Sequence, residues 1–107
     1  MSSLNIATGS PKVEAVGVKI IVETIEDLSA ASKTDLRFLK SYGTVLTVTG
    51  TVENDYNIYY TTTADDDGDG NTLLSIAGQW RVTPDITKSG YDGYMETLYF
   101  KVKGIDE

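Results

Sequence analysis

The segment best suited to chemistry is an acidic run at residues 65–71, which reads Asp-Asp-Asp-Gly-Asp-Gly-Asn. Hard cations such as Ca²⁺ bind several oxygen ligands, and carboxylates on alternate residues of a tight loop can supply them. Asp65, Asp67 and Asp69 match the first half of an EF-hand calcium loop, but Ile76 stands where that loop requires a bidentate Glu. A solvated acidic loop and a weak or shared Ca²⁺ site with these three aspartates are the two interpretations. We expect no tight metal site and no cofactor.

The other residue types argue against catalysis. The chain contains no histidine and no cysteine, so no imidazole can act as a base for a serine and no thiolate can act as a nucleophile. The sequence has no glycine-rich phosphate loop between a strand and a helix, and nothing marks two carboxylates as facing each other across a cleft. We therefore expect a protein that is not an enzyme.

Composition also narrows the class of partner. Nine basic and sixteen acidic residues give a net charge of −7, which disfavours binding to nucleic acid because phosphates attract Lys and Arg. No apolar stretch reaches the roughly 18–20 residues that span a bilayer. Residues 1–10 have no Lys, no Arg and no apolar block, so they do not resemble a signal peptide. We expect protein partners, with neither nucleic acid nor a membrane involved.

Apolar residues alternate with polar ones in five stretches, at residues 16–22, 45–49, 58–62, 80–86 and 98–102. Such alternation is typical of strands with one buried face. Short strands separated by turns predict an all-β, immunoglobulin-like β-sandwich of about seven antiparallel strands without a disulfide. We place strands near residues 13–25, 34–40, 44–53, 56–63, 79–86 and 94–103, with 72–76 either a short strand or a helical turn. Pro84 lacks an amide donor, which predicts a position at a sheet edge.

The chain length of 107 residues fits one domain. We divide it into a flexible or extended N-terminal arm (1–12), the sandwich (13–103) and a short polar tail (104–107). The arm is either a frayed terminus or a segment that orders against a neighbouring subunit. Trp80 is expected to anchor the core. The full predicted core is Val18, Ile20, Val22, Leu36, Phe38, Ile58, Tyr60, Trp80, Val82, Leu98, Phe100 and Val102.

Seven tyrosines are many for a chain of this length. Tyr42 and Tyr91 lie in predicted loops, and Tyr59 must point away from the core if its neighbour Tyr60 points inward. Exposed tyrosine is enriched at protein interfaces, although single exposed aromatics are also common on ordinary surfaces. Tyr42, Tyr59 and Tyr91 are the interface candidates.

Five short segments occur in an order that resembles a known family. They are Asp27-Leu28-Ser29-Ala30-Ala31, Lys40-Ser41-Tyr42-Gly43-Thr44, Tyr59-Tyr60-Thr61-Thr62, Ala77-Gly78-Gln79-Trp80 and Glu96-Thr97-Leu98-Tyr99-Phe100-Lys101-Val102. Together they look like the small immunoglobulin-like domain of tailed bacteriophages, typified by the N-terminal domain of baseplate upper proteins. The resemblance covers about residues 16–102 and implies a structural role in the virion, with no catalytic residues.

The resemblance favours a bacteriophage virion protein that assembles in the host cytoplasm as an adaptor of the tail, baseplate or fibre region. Its partners would be other virion subunits in a symmetric, multi-copy assembly. Capsid decoration, in which the module cements head subunits, is the first alternative. A surface carbohydrate-binding module that uses loop tyrosines and Ca²⁺ is an alternative from another functional class.

Overall fold

The alternating stretches form nine β-strands in the computed structural model, which describes residues 2–6 and 9–107, and among these every side chain except that of Tyr42. A short 3-10 turn, Ser41–Gly43, joins the third strand to the fourth, and the described residues contain no α-helix. The strands are β1 (Ser3–Ile6), β2 (Lys19–Glu23), β3 (Lys33–Leu39), β4 (Val45–Thr49), β5 (Thr51–Glu53), β6 (Asn57–Thr61), β7 (Gly78–Lys88), β8 (Tyr91–Tyr94) and β9 (Leu98–Val102).

The strands form two antiparallel sheets. One sheet has four strands in the order β1-β2-β6-β5, and the other has five in the order β4-β3-β7-β8, with β9 also paired to β7. In the immunoglobulin fold, strands A, B, E and D form one sheet and strands C, F and G form the other. Here β1, β2, β6 and β5 correspond to A, B, E and D, and β3 and β7 correspond to C and F. β8 and β9 together take the place of G, and β4 is an additional strand beside β3. The predicted all-β, immunoglobulin-like sandwich is confirmed, although it has nine strands where about seven were expected.

A break at Gly50 explains one of the additional strands. The predicted strand at residues 44–53 is divided there, because β4 belongs to the five-stranded sheet and β5 to the four-stranded sheet. Gly50 is buried at the crossover, and its amide donates to the carbonyl of Thr34 at 2.8 Å. A Cβ at this position would overlap Cγ2 of Ile58 and lie 3.1 Å from the Thr34 carbonyl oxygen. Only glycine therefore lets the chain cross from one sheet to the other at a position that is packed this closely.

The N-terminal segment differs from its prediction as a flexible or extended arm. β1 pairs in antiparallel register with β2, with Ser3 opposite Glu23 and Ile6 opposite Ile20. Leu4 and Ile6 pack against the core, so the segment is held by burial as well as by backbone pairing. The fold therefore begins before residue 13. Residues 1, 7 and 8 of the predicted arm lie outside the described residues.

Pro84 is also placed differently, since it lies in the middle of β7, the central strand of its sheet. β9 pairs with β7 as far as Val82 and β8 pairs from Asp85 onward, so Pro84 falls between the two partners. Its carbonyl accepts a hydrogen bond from the Met95 amide on that side. The missing N–H thus faces a gap between strands, where no ladder bond is lost.

The core lies between the sheets and follows the predicted parity closely. Trp80 is fully buried, and its ring centroid lies 5.8 Å from that of Phe100, which in turn meets Phe38 edge-on at 6.2 Å. Tyr60 and Leu98 are only partly buried, because each lies toward the end of its strand. The buried hydrophobic residues absent from the predicted core are Leu28, Val48, Leu73, Leu74 and Ile86.

Candidate functional site

Two of the three carboxylates proposed as metal ligands, those of Asp65 and Asp67, accept hydrogen bonds within their own loop. Asp65 Oδ1 accepts a hydrogen bond from the Gly70 amide at 2.9 Å. Asp67 Oδ1 accepts from the Asp69 amide at 2.7 Å and its Oδ2 from Asn71 Nδ2 at 2.9 Å. Those bonds from Asp69 and Asn71 hold the pKa of Asp67 below its usual value. Across residues 2–6 and 9–107, no group of three or more acidic side chains is placed to hold a metal ion.

The residue that organises the loop is Asp66, which the alternating pattern passed over. Its Oδ2 accepts hydrogen bonds from the Leu73 amide at 2.7 Å and Thr72 Oγ1 at 3.1 Å. Its Oδ1 accepts from Thr63 Oγ1 at 2.7 Å and from the Tyr60 hydroxyl, and the Thr63 amide reaches both oxygens at 3.0 Å. Asp66 therefore ties the end of β6 to the segment that carries two buried leucines, Leu73 and its neighbour.

The electrostatics of Asp66 and Tyr60 follow from this contact. Partial burial pushes the pKa of Asp66 upward, but hydrogen bonds from Tyr60 and Thr63 outweigh it and hold the pKa below its usual 3.8. Burial, together with the adjacent carboxylate, raises the pKa of the Tyr60 phenol to about 12. A carboxylate whose hydrogen-bonding capacity is met by the chain itself is suited to fixing a loop.

The structure does not bring Tyr59 and Tyr91, two of the three interface candidates, together, because they lie on different sheets. Tyr59 lies on the outer side of the four-stranded sheet, with Lys19 Nζ 4.3 Å from its ring centroid. Lys19 also forms an ion pair with Glu53 at 3.1 Å. Tyr91 is partly buried and packs against the core, and its hydroxyl donates to the carbonyl of Tyr94. The side chain of Tyr42 lies outside the described part of the structure.

A different surface combines exposed tyrosine with arginine. Tyr94 and Tyr99 are 60% and 59% exposed, and both lie on the outer side of the five-stranded sheet. Arg37 and Arg81 are the only arginines of the chain and share that side, because their strand neighbours Phe38, Trp80 and Val82 point inward. We call these four residues the arginine–tyrosine face.

The geometry of the face places an arginine beside an exposed tyrosine ring. Arg81 lies directly across from Tyr99 in the pairing of β7 with β9, and its guanidinium carbon is 5.7 Å from the ring centroid. None of the ion pairs among the described residues involves either arginine. The same face contains a shallow depression, which is lined by Arg37, Thr83, Tyr94, Met95 and Thr97. Arginine and tyrosine are among the side chains enriched at protein interfaces and at their binding hot spots.

Sequence reasoning could have found the two arginines, because each lies one residue from a predicted core position on its strand. The tyrosine search instead favoured loop positions. It missed Tyr94, which is the last residue of β8, and Tyr99, whose side chain points outward from β9.

Within the described part of the chain, no helix has the length and apolar character needed to cross a bilayer. Comparisons with protein-family models, with curated proteins and with solved structures gave no match to this chain.

Proposed function

We propose that this chain is a non-enzymatic structural protein of a bacteriophage virion, an immunoglobulin-like adaptor of the tail, baseplate or fibre region. The order of the five family-like segments supports this role. The observation that carries the interaction part of the proposal is the arginine–tyrosine face. This surface has the composition of a protein-binding site on a chain whose net charge is −7.

The proposed role requires the face to contact another virion subunit. Against a partner, Tyr99 would bury a large, rigid ring at little entropic cost, and Arg81 lies over that ring and forms no ion pair among the described residues. Such a cation presented by an acidic protein favours a partner with carboxylates or carbonyls at the matching position. Many copies bound weakly on a symmetric particle attach firmly through their high effective concentration.

Mass analysis of purified particles from the phage that encodes the chain tests the location. A copy number that is a small multiple of three or six supports the tail, baseplate or fibre region. Hundreds of copies per particle support the alternative of capsid decoration, in which the same face would bind head subunits. Absence of the chain from purified particles refutes both versions.

Matched double variants test the face itself. Arg81→Ala with Tyr99→Ala removes the cation–π pair of the proposed interface. Lys19→Ala with Tyr59→Ala removes the equivalent pair from the opposite sheet. We expect the first variant to fold but to be incorporated into particles poorly, and the second to be incorporated normally. Equal incorporation of the two variants would refute the assignment of this face.

A surface carbohydrate-binding module is the competing proposal, and the observation in its favour is the pair of exposed rings on one sheet. Tyr94 and Tyr99 could together offer an aromatic platform to a sugar. A glycan array probed with the full chain separates the two proposals. Binding that disappears in Tyr94→Ala and Tyr99→Ala would support the carbohydrate function, and no binding to any glycan would exclude it.

A further inference from the structure

One edge of the five-stranded sheet, strand β4, presents unpaired backbone groups to solvent. β4 is the terminal strand of its sheet and pairs only with β3 among the described residues. The Lys40 amide donates to the Thr44 carbonyl at 2.7 Å, and the Gly50 amide to the Thr34 carbonyl at 2.8 Å. Because antiparallel strands use alternate residues for such bonds, Leu46 and Val48 also face β3. The N–H and C=O groups of the other three residues therefore point outward; these are Val45, Thr47 and Thr49.

This edge lacks the features that protect most exposed strands. Residues 41–52 contain no charged side chain and no proline, and charges or prolines are the usual means of blocking edge pairing. The edges of the four-stranded sheet are shorter, with four residues in β1 and three in β5, and β5 ends in Glu53. The opposite edge of the five-stranded sheet is divided between β8 and β9, which carry Asp92 and Lys101. Among these edges, β4 is the longest that is uninterrupted and uncharged.

We infer that β4 pairs with β4 of a second copy of this chain, in antiparallel register around a two-fold axis at Thr47. The outward-facing residues are symmetric about Thr47, so Val45 of one copy lies opposite Thr49 of the other, and Thr47 lies opposite Thr47. Each opposed pair then exchanges two backbone hydrogen bonds. The same surface serves both copies, as a closed two-fold contact requires.

Side chains support this register on both faces of the extended sheet. On the inner side, Leu46 is only partly buried in one chain, and Val48 of the second copy would lie across from it. On the outer side, the exposed Thr47 of each copy forms a cross-strand threonine pair, which is favourable in sheets, and each Thr49 lies beside the β-branched Val45 of the other copy. Leu46 thus gains an apolar neighbour that a single copy does not provide.

Charge favours a second copy at this edge rather than elsewhere on the molecule. Two copies with a net charge of −7 each repel one another, and an uncharged edge lets their backbones meet without opposing side-chain charges. Salt screens the remaining repulsion, so pairing should strengthen as ionic strength rises. A contact of five residues per copy is small, so the pair forms weakly in dilute solution and is favoured where copies are concentrated.

Cysteine crosslinking of the full chain tests the register, because the natural sequence has no cysteine. In the inferred pair the two Thr47 Cα atoms are about 5.5 Å apart, which is within the range that a disulfide spans. Thr47→Cys should therefore form a disulfide-linked dimer under mild oxidation about tenfold faster than Thr51→Cys, because pairing raises the local thiol concentration. Thr51 is the matched control, since it is an exposed threonine on the edge strand β5.

Further arms separate strand pairing from random collision. The rate for Thr47→Cys should rise with NaCl, and in denaturant it should fall to that of the control. Adding Thr49→Pro removes one outward N–H that the fold itself does not use, so the thermal midpoint should hold while crosslinking drops toward the control.

Two results would overturn the inference. The first is equal crosslinking of Thr47→Cys and Thr51→Cys in the native protein. The second is an absence of Thr47→Cys dimers combined with loss of particle incorporation in Thr49→Pro, which would mean that a strand of another protein occupies this edge.

Discussion

Asp65 and Asp66 are adjacent in one acidic loop, but replacing Asp66 by Asn should destabilise the domain far more than the same change at Asp65. Both Asp66 oxygens act as hydrogen-bond acceptors. Oδ1 accepts from Tyr60 and Thr63, and Oδ2 accepts from the Leu73 amide, a threonine hydroxyl and the shared Thr63 amide. An asparagine amide must turn its NH₂ group toward one of these sets. At the Oδ2 position the NH₂ group would face the Leu73 and Thr63 amides, which can only donate. At the Oδ1 position it can donate to the Tyr60 and Thr63 hydroxyls, but it still faces the Thr63 amide, and the bonds that remain lose the strength that the negative charge gives them.

The magnitude follows from the number of bonds weakened. A hydrogen bond to a charged group contributes about 1.5–3 kcal/mol and one between neutral groups about 0.5–1.5 kcal/mol, so neutralising an acceptor of several bonds gives a nominal loss of several kcal/mol. Asp66 is only partly buried, so water compensates for part of this loss, and we expect about 3 kcal/mol. Asp65 accepts a single bond, from the Gly70 amide, which an asparagine oxygen can also accept. Asp65→Asn is therefore the matched control, with no expected change.

Urea denaturation followed by the fluorescence of Trp80 measures the difference. A domain of this size loses about 1–3 kcal/mol per molar urea, so the midpoint for Asp66→Asn should fall by about 1–3 M. Hydrogen exchange at the Leu73 amide provides a local readout, because that amide donates to Asp66 and its side chain is fully buried. If Asp66→Asn and Asp65→Asn unfold at the same midpoint and Leu73 stays protected in both, the proposed role of Asp66 is wrong.

Three further predictions concern the fold. Gly50→Ala should lower stability by about 1–3 kcal/mol through overlap with Ile58, whereas Gly93→Ala, with no atom within 4 Å of the added Cβ, should unfold like the natural protein in the same urea titration. Trp80→Ala should cost about 3–5 kcal/mol, since the ring is fully buried, and a loss below about 1 kcal/mol in denaturant melts would contradict that packing. The pKa of Tyr60 is raised from 10.0 to about 12, so its protonated phenol contributes fully to folding stability below pH 10, and this contribution is lost as the pH rises toward 12. Melts of Tyr60→Phe should lack this loss of stability at alkaline pH. The same alkaline loss in Tyr60→Phe and the natural protein would contradict the role given to Tyr60.

The strand pattern predicted the core well where each strand has one buried face. Ile20 and Val22 on β2, and Leu36 and Phe38 on β3, are fully buried, as their alternation indicates. Leu73 and its neighbour Leu74 could not be found in this way, because they lie in a segment without regular structure. Bonds to distant residues hold this segment in place, from the Leu73 amide to Asp66 and from the Glu14 amide to the Leu74 carbonyl, and periodicity reports only local geometry.

The acidic loop shows a second limit of sequence reasoning. Counting carboxylates at alternate positions selected Asp65, Asp67 and Asp69, because metal loops use that spacing. The same sequence is equally compatible with a loop whose own N–H groups bond the carboxylates of Asp65 and Asp67, and the backbone conformation decides which of the two loops forms. Gly68 and Gly70 adopt positive φ angles, which turn the chain back on itself. No side-chain pattern specifies how those turns aim the amides.

The two outer faces of the sandwich differ in whether the cation over their exposed tyrosine is already part of an ion pair. On the four-stranded sheet, Lys19 lies over Tyr59, and its charge is also paired with Glu53. On the five-stranded sheet, Arg81 lies over Tyr99 and takes part in none of the ion pairs of the described residues. A partner that contacts Lys19 must share that cation with Glu53, whereas a partner that contacts Arg81 meets a cation that has no ion-pair partner among the described residues. Desolvation therefore favours the arginine–tyrosine face as the docking surface.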